Sequence, residues 1–402
     1  MAKIRLILTI VTILVVGFLG YFVSLYARGY RLNLKTLRIE PNGILVIKTD
    51  PTGAQILVNG ELKGASDSNL SLSPGIYDVT VSKEGYLSWY KRLTIEKEVV
   101  TEANLSLFKT TPSLSPITFS GSANPIISED STKIAFTVLP SPDNTNNQDK
   151  LGLWIMEMIN FPLGFSRDPR RITDGDLTNA SWQFSPSGRE ILLTTASGVF
   201  LLDTGTFTSQ KERVNIVSKK DSTLVSWQQE KNNKILAQTR NLPTEIVDLL
   251  QRKVGEVIFS PDETKILYTA STQTSLSPAL VKPLPGSSTQ KEERNLEPGK
   301  TYIYDIKEDR NFLVYDQLVT LDGQDTTLQQ ATIRWFPTSR NLVLAESGKI
   351  TIMDYDGTNR QEVYTGSYEA PFAFPFANSE KLIILINLGS SSIPNLYSLS
   401  LK

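Results

Sequence analysis

Six stretches between residues 126 and 385 repeat one pattern: a hydrophobic strand end, a polar turn, then a second apolar strand. They read IISEDSTKIAFT (126–137), QFSPSGREILLT (183–194), SWQQEKNNKILAQ (226–238), IFSPDETKILYT (258–269), WFPTSRNLVLA (335–345) and FPFANSEKLIIL (374–385). Downstream lie further apolar runs, GLWIMEM, GVFLLDT, KTYIYDI and KITIMDYDGTN, the last three ending near Asp203, Asp305 and Asp354. A blade built from such hairpins has two apolar faces and unpaired edges, so it is stable only when neighbours cover them. Radial stacking does this. Repetition at roughly 30 to 75 residues with almost no helical periodicity therefore predicts an all-β C-terminal region, 126–402, folded as a β-propeller of about six blades. The copies at Trp227 and Phe374 are the least regular, which brackets the count between about five and seven.

The turn residues narrow the reading. Phe184-Ser185-Pro186 and Phe259-Ser260-Pro261 each open a polar turn, Pro186-Ser187-Gly188 and Pro261-Asp262 continue it, and Trp335-Phe336-Pro337 is a third version. These residues resemble the TolB-like, WD-type propeller repeat, in which F-S-P-D-G-x-x-I-x-F forms the inner hairpin and x-I-x-x-x-D-x-x-G leads to the outer strand. Trp182, Trp227 and Trp335 lie beside or within the repeated turn and Trp154 on GLWIMEM, positions at which aromatic rings pack between neighbouring blades. The stretch from Thr272 to Gly299 interrupts the spacing and reads as a mobile surface loop.

A second β-rich region precedes the repeats. GILVIKT, AQILVNG, GIYDVTVSK, WYKRLTIEK and VVTEANLSL follow one another over residues 43–108, each short and β-branched or alternating. Between them stand turn residues: Pro51 fixes φ, Gly53 permits a positive φ, Asn59-Gly60 suits a tight hairpin, and Pro74-Gly75 marks the next reversal. The pattern predicts a small antiparallel β-sandwich. GILVIKTDPTGAQILVNGELKG and LSPGIYDVTVSKEGY resemble the PEGA domain, with Pro51, Gly53, Ala54, Asn59, Gly60, Gly64, Pro74, Gly75, Tyr77, Lys83, Gly85 and Tyr86 matching in order. Thr52 stands where that family carries its name-giving Glu. The resemblance implies a module of the surface layer or cell envelope, held outside the membrane in bacteria or archaea. The matched residues have backbone or core reasons to be present, so they are read as structural rather than ligand-binding.

Leu6 to Ala27 is an uncharged stretch, and a helix needs about 20 residues to cross the hydrocarbon core. Tyr21, Phe22, Tyr26 and Tyr30 gather toward its far end, where rings favour the interface. Residues 1–29 are thus read as a transmembrane anchor, 30–42 as a polar connector, and the Thr/Ser/Pro-rich 109–125 as a linker. A cleaved signal peptide is the alternative, but Leu25 and Ala27 make a poor small-x-small site. Lys3 and Arg5 before the helix, against Arg28, Arg31, Lys35 and Arg38 after it, put the C-terminal body in the cytoplasm by the positive-inside count. The PEGA resemblance implies the opposite side, and that orientation is preferred.

Composition removes whole classes of chemistry. With no histidine and no cysteine there is no Ser-His-Asp triad, cysteine nucleophile, Cys/His zinc site, haem histidine or disulfide. A net charge of -1, from 41 basic and 42 acidic residues, gives no electrostatic reason to expect nucleic acid as a partner. Carboxylate pairs remain: Asp174 with Asp176, Asp322 with Asp325, and Asp354 with Asp356, each beside glycine where Asp caps its own backbone. Their D-x-D-G spacing lacks the later bidentate Glu of a calcium loop. Ser166 and Ser287-Ser288 lack the nucleophile-elbow context, and Gly299-Lys300-Thr301 is only a fragment of a phosphate loop. No cofactor, metal or catalytic residue is expected. The sequence points to a membrane-anchored, extracytoplasmic, non-enzymatic protein that presents a propeller to an envelope protein or cell-wall polymer. The alternative is a carbohydrate-active or glycan-binding propeller using carboxylates or aromatics at the ring centre.

Overall fold

A computed structural model describes residues 2–27, 30–33, 38–140, 149–160, 167–282, 288, 290–317, 319–321, 331–388 and 393–402. Contacts divide the chain into two units, Met1–Leu107 with Lys282–Lys291, and Phe108–Val281 with Glu292–Lys402.

The first unit opens with helix α1 (Ala2–Ala27). Its span Ile7–Ala27 is long and apolar enough to cross a membrane by length and composition, and none of it is buried. β1 (Tyr30–Asn33) and β2 (Arg38–Pro41) pair antiparallel, so the expected connector carries a short ladder. Seven strands follow: β3 (Gly43–Asp50), β4 (Gln55–Val58), β5 (Glu61–Ala65), β6 (Ser68–Leu72), β7 (Gly75–Ser82), β8 (Trp89–Ile95) and β9 (Val100–Ser106). They form two sheets, ordered β6-β3-β9 and β5-β4-β7-β8. Leu45, Ile47, Ile56, Val79, Val81, Trp89 and Ile95 are buried in the shared core, the alternate residues of each strand facing inward. One pairing departs from the antiparallel expectation. β3 and β9 run parallel from Ile44↔Val100 to Asp50↔Ser106, because β8, in the other sheet, lets the chain cross the sandwich and re-enter in the same sense.

The second unit begins with β10 (Ser113–Pro116) and then builds sheets in sequence. The first is β11 (Ala123–Ile127), β12 (Lys133–Val138), β13 (Gly152–Glu157) and β14 (Arg170–Asp174); the second is β15 (Ser181–Phe184), β16 (Glu190–Thr195) and β17 (Gly198–Asp203). Two helices intervene, α2 (Lys220–Thr239) and α3 (Thr244–Arg252). The third sheet is β18 (Val254–Phe259), β19 (Lys265–Ala270), β22 (Thr301–Asp305) and β23 (Arg310–Tyr315), with the small pair β20 (Thr274–Ser275) and β21 (Asn295–Leu296) between its second and third strands. The fourth is β24 (Val319–Thr320), β25 (Ala331–Trp335), β26 (Asn341–Glu346), β27 (Lys349–Asp354) and β28 (Gln361–Thr365). The fifth is β29 (Ala373–Pro375), β30 (Lys381–Ile386) and β31 (Asn395–Ser400), and β10 supplies its fourth strand. Residues 109–125 are therefore no linker: they carry β10 and the start of β11.

Five of the six echoes are the first hairpins of these sheets, and all five turns are the same object. The N–H of Ser128, Ser185, Ser260, Phe336 and Phe376 donates to the carbonyl five residues on, and each accepts from the residue three positions later. That later residue has positive φ in every copy: Ser131, Gly188, Glu263, Ser339 and Ser379. Only one is glycine. The sixth echo, 226–238, lies inside α2 instead of a blade, so the expected count of about six falls to five sheets and a helical pair. Leu224, Trp227, Lys231 and Gln238 recur at helical spacing there, and the helix runs through the Asn232-Asn233 pair that reads as a turn.

Packing passes from face to face. Phe136 and Met156 of the first sheet meet Phe374, Ile383 and Leu396 of the fifth; Leu153 and Ile155 meet Ile191, Leu193 and Phe200 of the second. Trp227 of α2 covers Leu192 and Val199 on the other face of the second sheet. Ile246 and Leu249 of α3 cover Ile266 and Tyr268 of the third. Leu267 and Ile303 then meet Ile333, Leu342 and Leu344 of the fourth. The Arg334 guanidinium lies 4.7 Å over the Phe374 ring, joining fourth to fifth. Trp154, Trp182 and Trp335 sit in these inter-sheet cores, whereas Trp227 reaches its core from a helix.

Candidate interaction surface

The two ends of the sheet unit differ in kind. At one end lie the five repeated turns, and in three of them a serine side chain holds its own backbone. Ser128, Ser185 and Ser260 hydroxyls accept the N–H of Lys133, Glu190 and Lys265 at 3.0, 3.1 and 3.0 Å. Asp262 accepts from the Ser260 hydroxyl (2.7 Å) and from the N–H and hydroxyl of Thr264. Burial pushes its carboxyl upward, but these bonds and nearby Lys265 outweigh it, leaving Asp262 below the ordinary carboxylate range. Turns also bind one another: Lys133 Nζ donates to Gly188 O at 2.9 Å, Asp262 N to Ser339 Oγ at 3.0 Å, and Ala377 N to Met158 O at 3.0 Å. Phe184, Ser185 and Pro186 are buried at this end, as is Ser260, while Phe259 is half-buried and Pro261 exposed.

At the opposite end the strand after each repeated turn is joined to the next main strand of its sheet, by connections of very unequal length. The connections run from two residues, Ala196-Ser197 and Ser347-Gly348, through 387–394 and 139–151, to 271–300, of which 282–291 belongs to the first unit. The longest, expected to be mobile, is pinned along much of its course. Leu276 and Leu296 are buried in the core under α3. Arg294 donates from Nη1 to Ser277 O (2.6 Å) and pairs with Asp309 (3.6 Å). Asn311, fully buried, accepts from the Tyr268 hydroxyl (2.8 Å) and donates to Glu293 O (2.6 Å), and Asp309 accepts from the Tyr304 hydroxyl (2.8 Å). Sequence reasoning missed this network. Its one visible trace is the Tyr302/Tyr304 alternation in KTYIYDI, with Tyr268 opposite Tyr302.

Of the described carboxylates considered for catalysis, Asp176 and Asp356 form turns, Asp354 holds side chains of its own sheet, and Asp174 reaches a distant segment. Asp176 accepts from the N–H of Thr178 at 2.9 Å; Asp354 accepts from Asn341 (3.1 Å) and Asn359 (2.9 Å); Asp356 accepts from the N–H and hydroxyl of Thr358 at 3.2 and 2.6 Å. Asp174 accepts from the N–H of Gln210 across to the next sheet. Asp322, Asp325 and Ser287 lie outside the described residues. Among the described residues no three acids gather as metal ligands. Every tryptophan is buried or half-buried.

In the first unit the motif residues lie in the turns between strands and at their ends. Pro51 and Gly53 (φ 76°) turn β3 into β4, and Asn59 (φ 51°) with Gly60 (φ 81°) turn β4 into β5. Asn59 Oδ1 also accepts the N–H of Asp78 at 2.9 Å. Ala54 is fully buried, with its N–H given to Ser66 Oγ. Pro74-Gly75 leads into β7, the Tyr77 hydroxyl donates to Ser73 O (2.9 Å), and Tyr86 packs on the core. Lys83 Nζ donates to Thr52 O, and Lys83 O accepts the N–H of Tyr86 beside Gly85 (φ 81°).

An apolar N-terminal helix, a turn-spaced β-sandwich and a set of sheets packed face to face define a mostly-β, modular protein. The PEGA domain family matches residues 42–111, and the chain carries a PEGA domain there. No curated protein matches the chain. Among solved structures it is similar to a protein assigned as TolB in Agrobacterium tumefaciens, at 13% identity over 68% of this chain and 76% of that one, with a TM-score of 0.23. It is also similar to TolB from Acinetobacter baumannii, at 11% identity over 81% of this chain and 60% of that one, with a TM-score of 0.22.

Proposed function

We propose that this is a membrane-anchored, extracytoplasmic, non-enzymatic envelope protein, in which the PEGA domain is a stalk and the sheet unit a docking platform for another envelope protein. The observation that carries the reading is the asymmetry between the ends of the sheet unit. Five turns sharing one backbone hydrogen-bond pattern, with the Ser128, Ser185, Ser260 and Asp262 side chains held inside their own turns, close one end. Loops of unequal length crown the other, and binding residues concentrate on such loops when a rigid scaffold holds them. The PEGA domain supports placement outside the membrane and is weighed above the positive-inside count. Carboxylates engaged in turns favour binding over glycosidic chemistry, which needs two acids facing one pocket about 5 to 9.5 Å apart.

The chain has no cysteine, so a single introduced thiol reports on one place. Ser197→Cys and Ser347→Cys put a thiol on the loop end; Ser187→Cys and Lys307→Cys put one on the turn end. Each is armed with a thiol-linked photocrosslinker in native membranes. One common protein captured from the first pair and absent from the second is the expected result; capture from the turn end alone refutes the assignment. A membrane-impermeant maleimide should label Ser197→Cys in spheroplasts without permeabilisation, and labelling only after lysis would reverse the orientation.

A further inference from the structure

Helix α2 is held to the sheets at three points. Trp227 covers Leu192 and Val199 together with Ile216 and Leu224. Four residues on, Lys231 pairs with Glu129 beside the first repeated turn. Seven further, Gln238 Nε2 donates to Glu263 Oε1 in the third (2.8 Å). From Trp227 to Gln238 is about 16 Å of helix at ~1.5 Å per residue, so three anchors span most of one face. The rest of the element is loosely attached. Of its 20 residues only Trp227 and Thr239 are buried, and Lys219 at its N-cap gives no side-chain capping bond. Val225 and Leu236 are 65% and 57% exposed.

A helix of this length draws most of its stability from burying one face, and α2 buries one ring. Elements with so few buried contacts lie at the low end of local stability, while β16 and β19 beside it are largely buried. Its neighbours do not depend on it: α3 is seated separately by Ile246 and Leu249, and residues 240–243 join the two.

We propose that α2 is a displaceable latch and that its seat is an interaction site for a partner's amphipathic helix. The resident helix defines the chemistry of that partner: a bulky apolar ring, a cation one turn later and an amide donor two turns beyond. When α2 leaves, it uncovers the Leu192/Val199 patch flanked by the Glu129 and Glu263 carboxylates, a surface shaped for a rod and signed for a cation. The seat lies at the turn end, so a helix bound there is captured from Ser187→Cys as a protein distinct from the one captured at Ser197→Cys and Ser347→Cys.

The test uses the full chain in nanodiscs, with a fluorescent synthetic peptide of residues 220–239 as probe. Three forms are compared: wild type, Trp227→Ala, and Gln238→Cys/Glu263→Cys bridged by a reducible bis-methanethiosulfonate. In the wild type, α2 amides should exchange at least tenfold faster than those of β16 and β19. The peptide should bind Trp227→Ala at least tenfold more tightly than wild type, since the resident helix no longer competes, and should bind the bridged form only after reduction. An α2 that exchanges as slowly as β16, a peptide that binds no form, or equal binding to bridged and reduced protein would each overturn the proposal. Lys231→Ala/Gln238→Ala, which leaves the apolar contact intact, is expected to shift peptide affinity in the same direction and replaces Trp227→Ala if that variant does not fold.

Discussion

Asp305 ends β22 with its carboxylate almost fully buried, accepting the N–H groups of Lys307 (2.9 Å) and Glu308 (3.0 Å) while Lys265 Nζ stands 3.8 Å away. Burial is the stronger influence and raises its pKa despite these partners. An acid whose folded pKa lies above its unfolded value of about 3.9 binds its proton more tightly when folded. The ionised group therefore costs stability at neutral pH, and that cost fades as pH falls through the folded pKa. Asp305→Asn keeps an acceptor for both N–H groups. It should leave stability within about 1 kcal/mol of wild type, or raise it, at pH 7, and the difference should narrow as pH falls in urea denaturation. A loss above about 2 kcal/mol at pH 7 would mean that Lys265 dominates. That a strand ends at Asp305 was legible from an apolar run ending in Asp. Its burial was not, because that depends on which sheet lands beside it. Pro51, Gly53, Asn59 and Gly60 were legible for the converse reason: their roles are local to the backbone.

Elements were legible in proportion to the regularity of their own pattern. Strands with strict alternation, such as β3 and β7, stood out, and so did the five hairpins. α2 did not, since SWQQEKNNKILAQ ends in the same K-I-L that opens β19, and helical spacing is visible only when the window starts at Leu224. α3 was missed as well, although its cap signals stand in the sequence: Pro243 at its N-cap, Glu245 in the first turn, Arg252 in the last and Ile246/Leu249 on one face. The 271–300 connection misled through composition, its Ser, Pro and Gly content concealing the two buried leucines and Arg294. Asn311 links that connection to the third sheet. Asn311→Ala orphans the Tyr268 hydroxyl and the Glu293 carbonyl, and should cost about 2–4 kcal/mol. Tyr268→Phe leaves one acceptor unpaired and should cost about 1–2 kcal/mol. Equilibrium unfolding gives both values, and hydrogen exchange should rise at residues 290–296 in Asn311→Ala before it rises in β22.

At the scale of the whole molecule, the seam lies where the first strand of the sheet unit joins the last. β10 pairs with β31 from Ser113↔Ser400 to Pro116↔Tyr397, and Lys109 N donates to Leu401 O at 2.8 Å. Thr118 and Gly121 add bonds to Asn395 Oδ1. No local signal announces this: SLSP reads as linker until the partner strand, some 280 residues away, is in place. Replacing Ser113–Pro116 with four glycines should remove about 2–4 kcal/mol and lower the calorimetric midpoint of the sheet unit by about 5–10 °C, leaving the PEGA transition in place. An unchanged midpoint would show that face-to-face packing alone holds the fifth sheet. The same seam has a mechanical side. Tension arriving along the chain from Phe108 pulls on β10 lengthwise, across hydrogen bonds that run perpendicular to it and so yield together instead of one after another. A tether attached there resists a tug by shear, the stiffer of the two ways a strand can be torn from its neighbour.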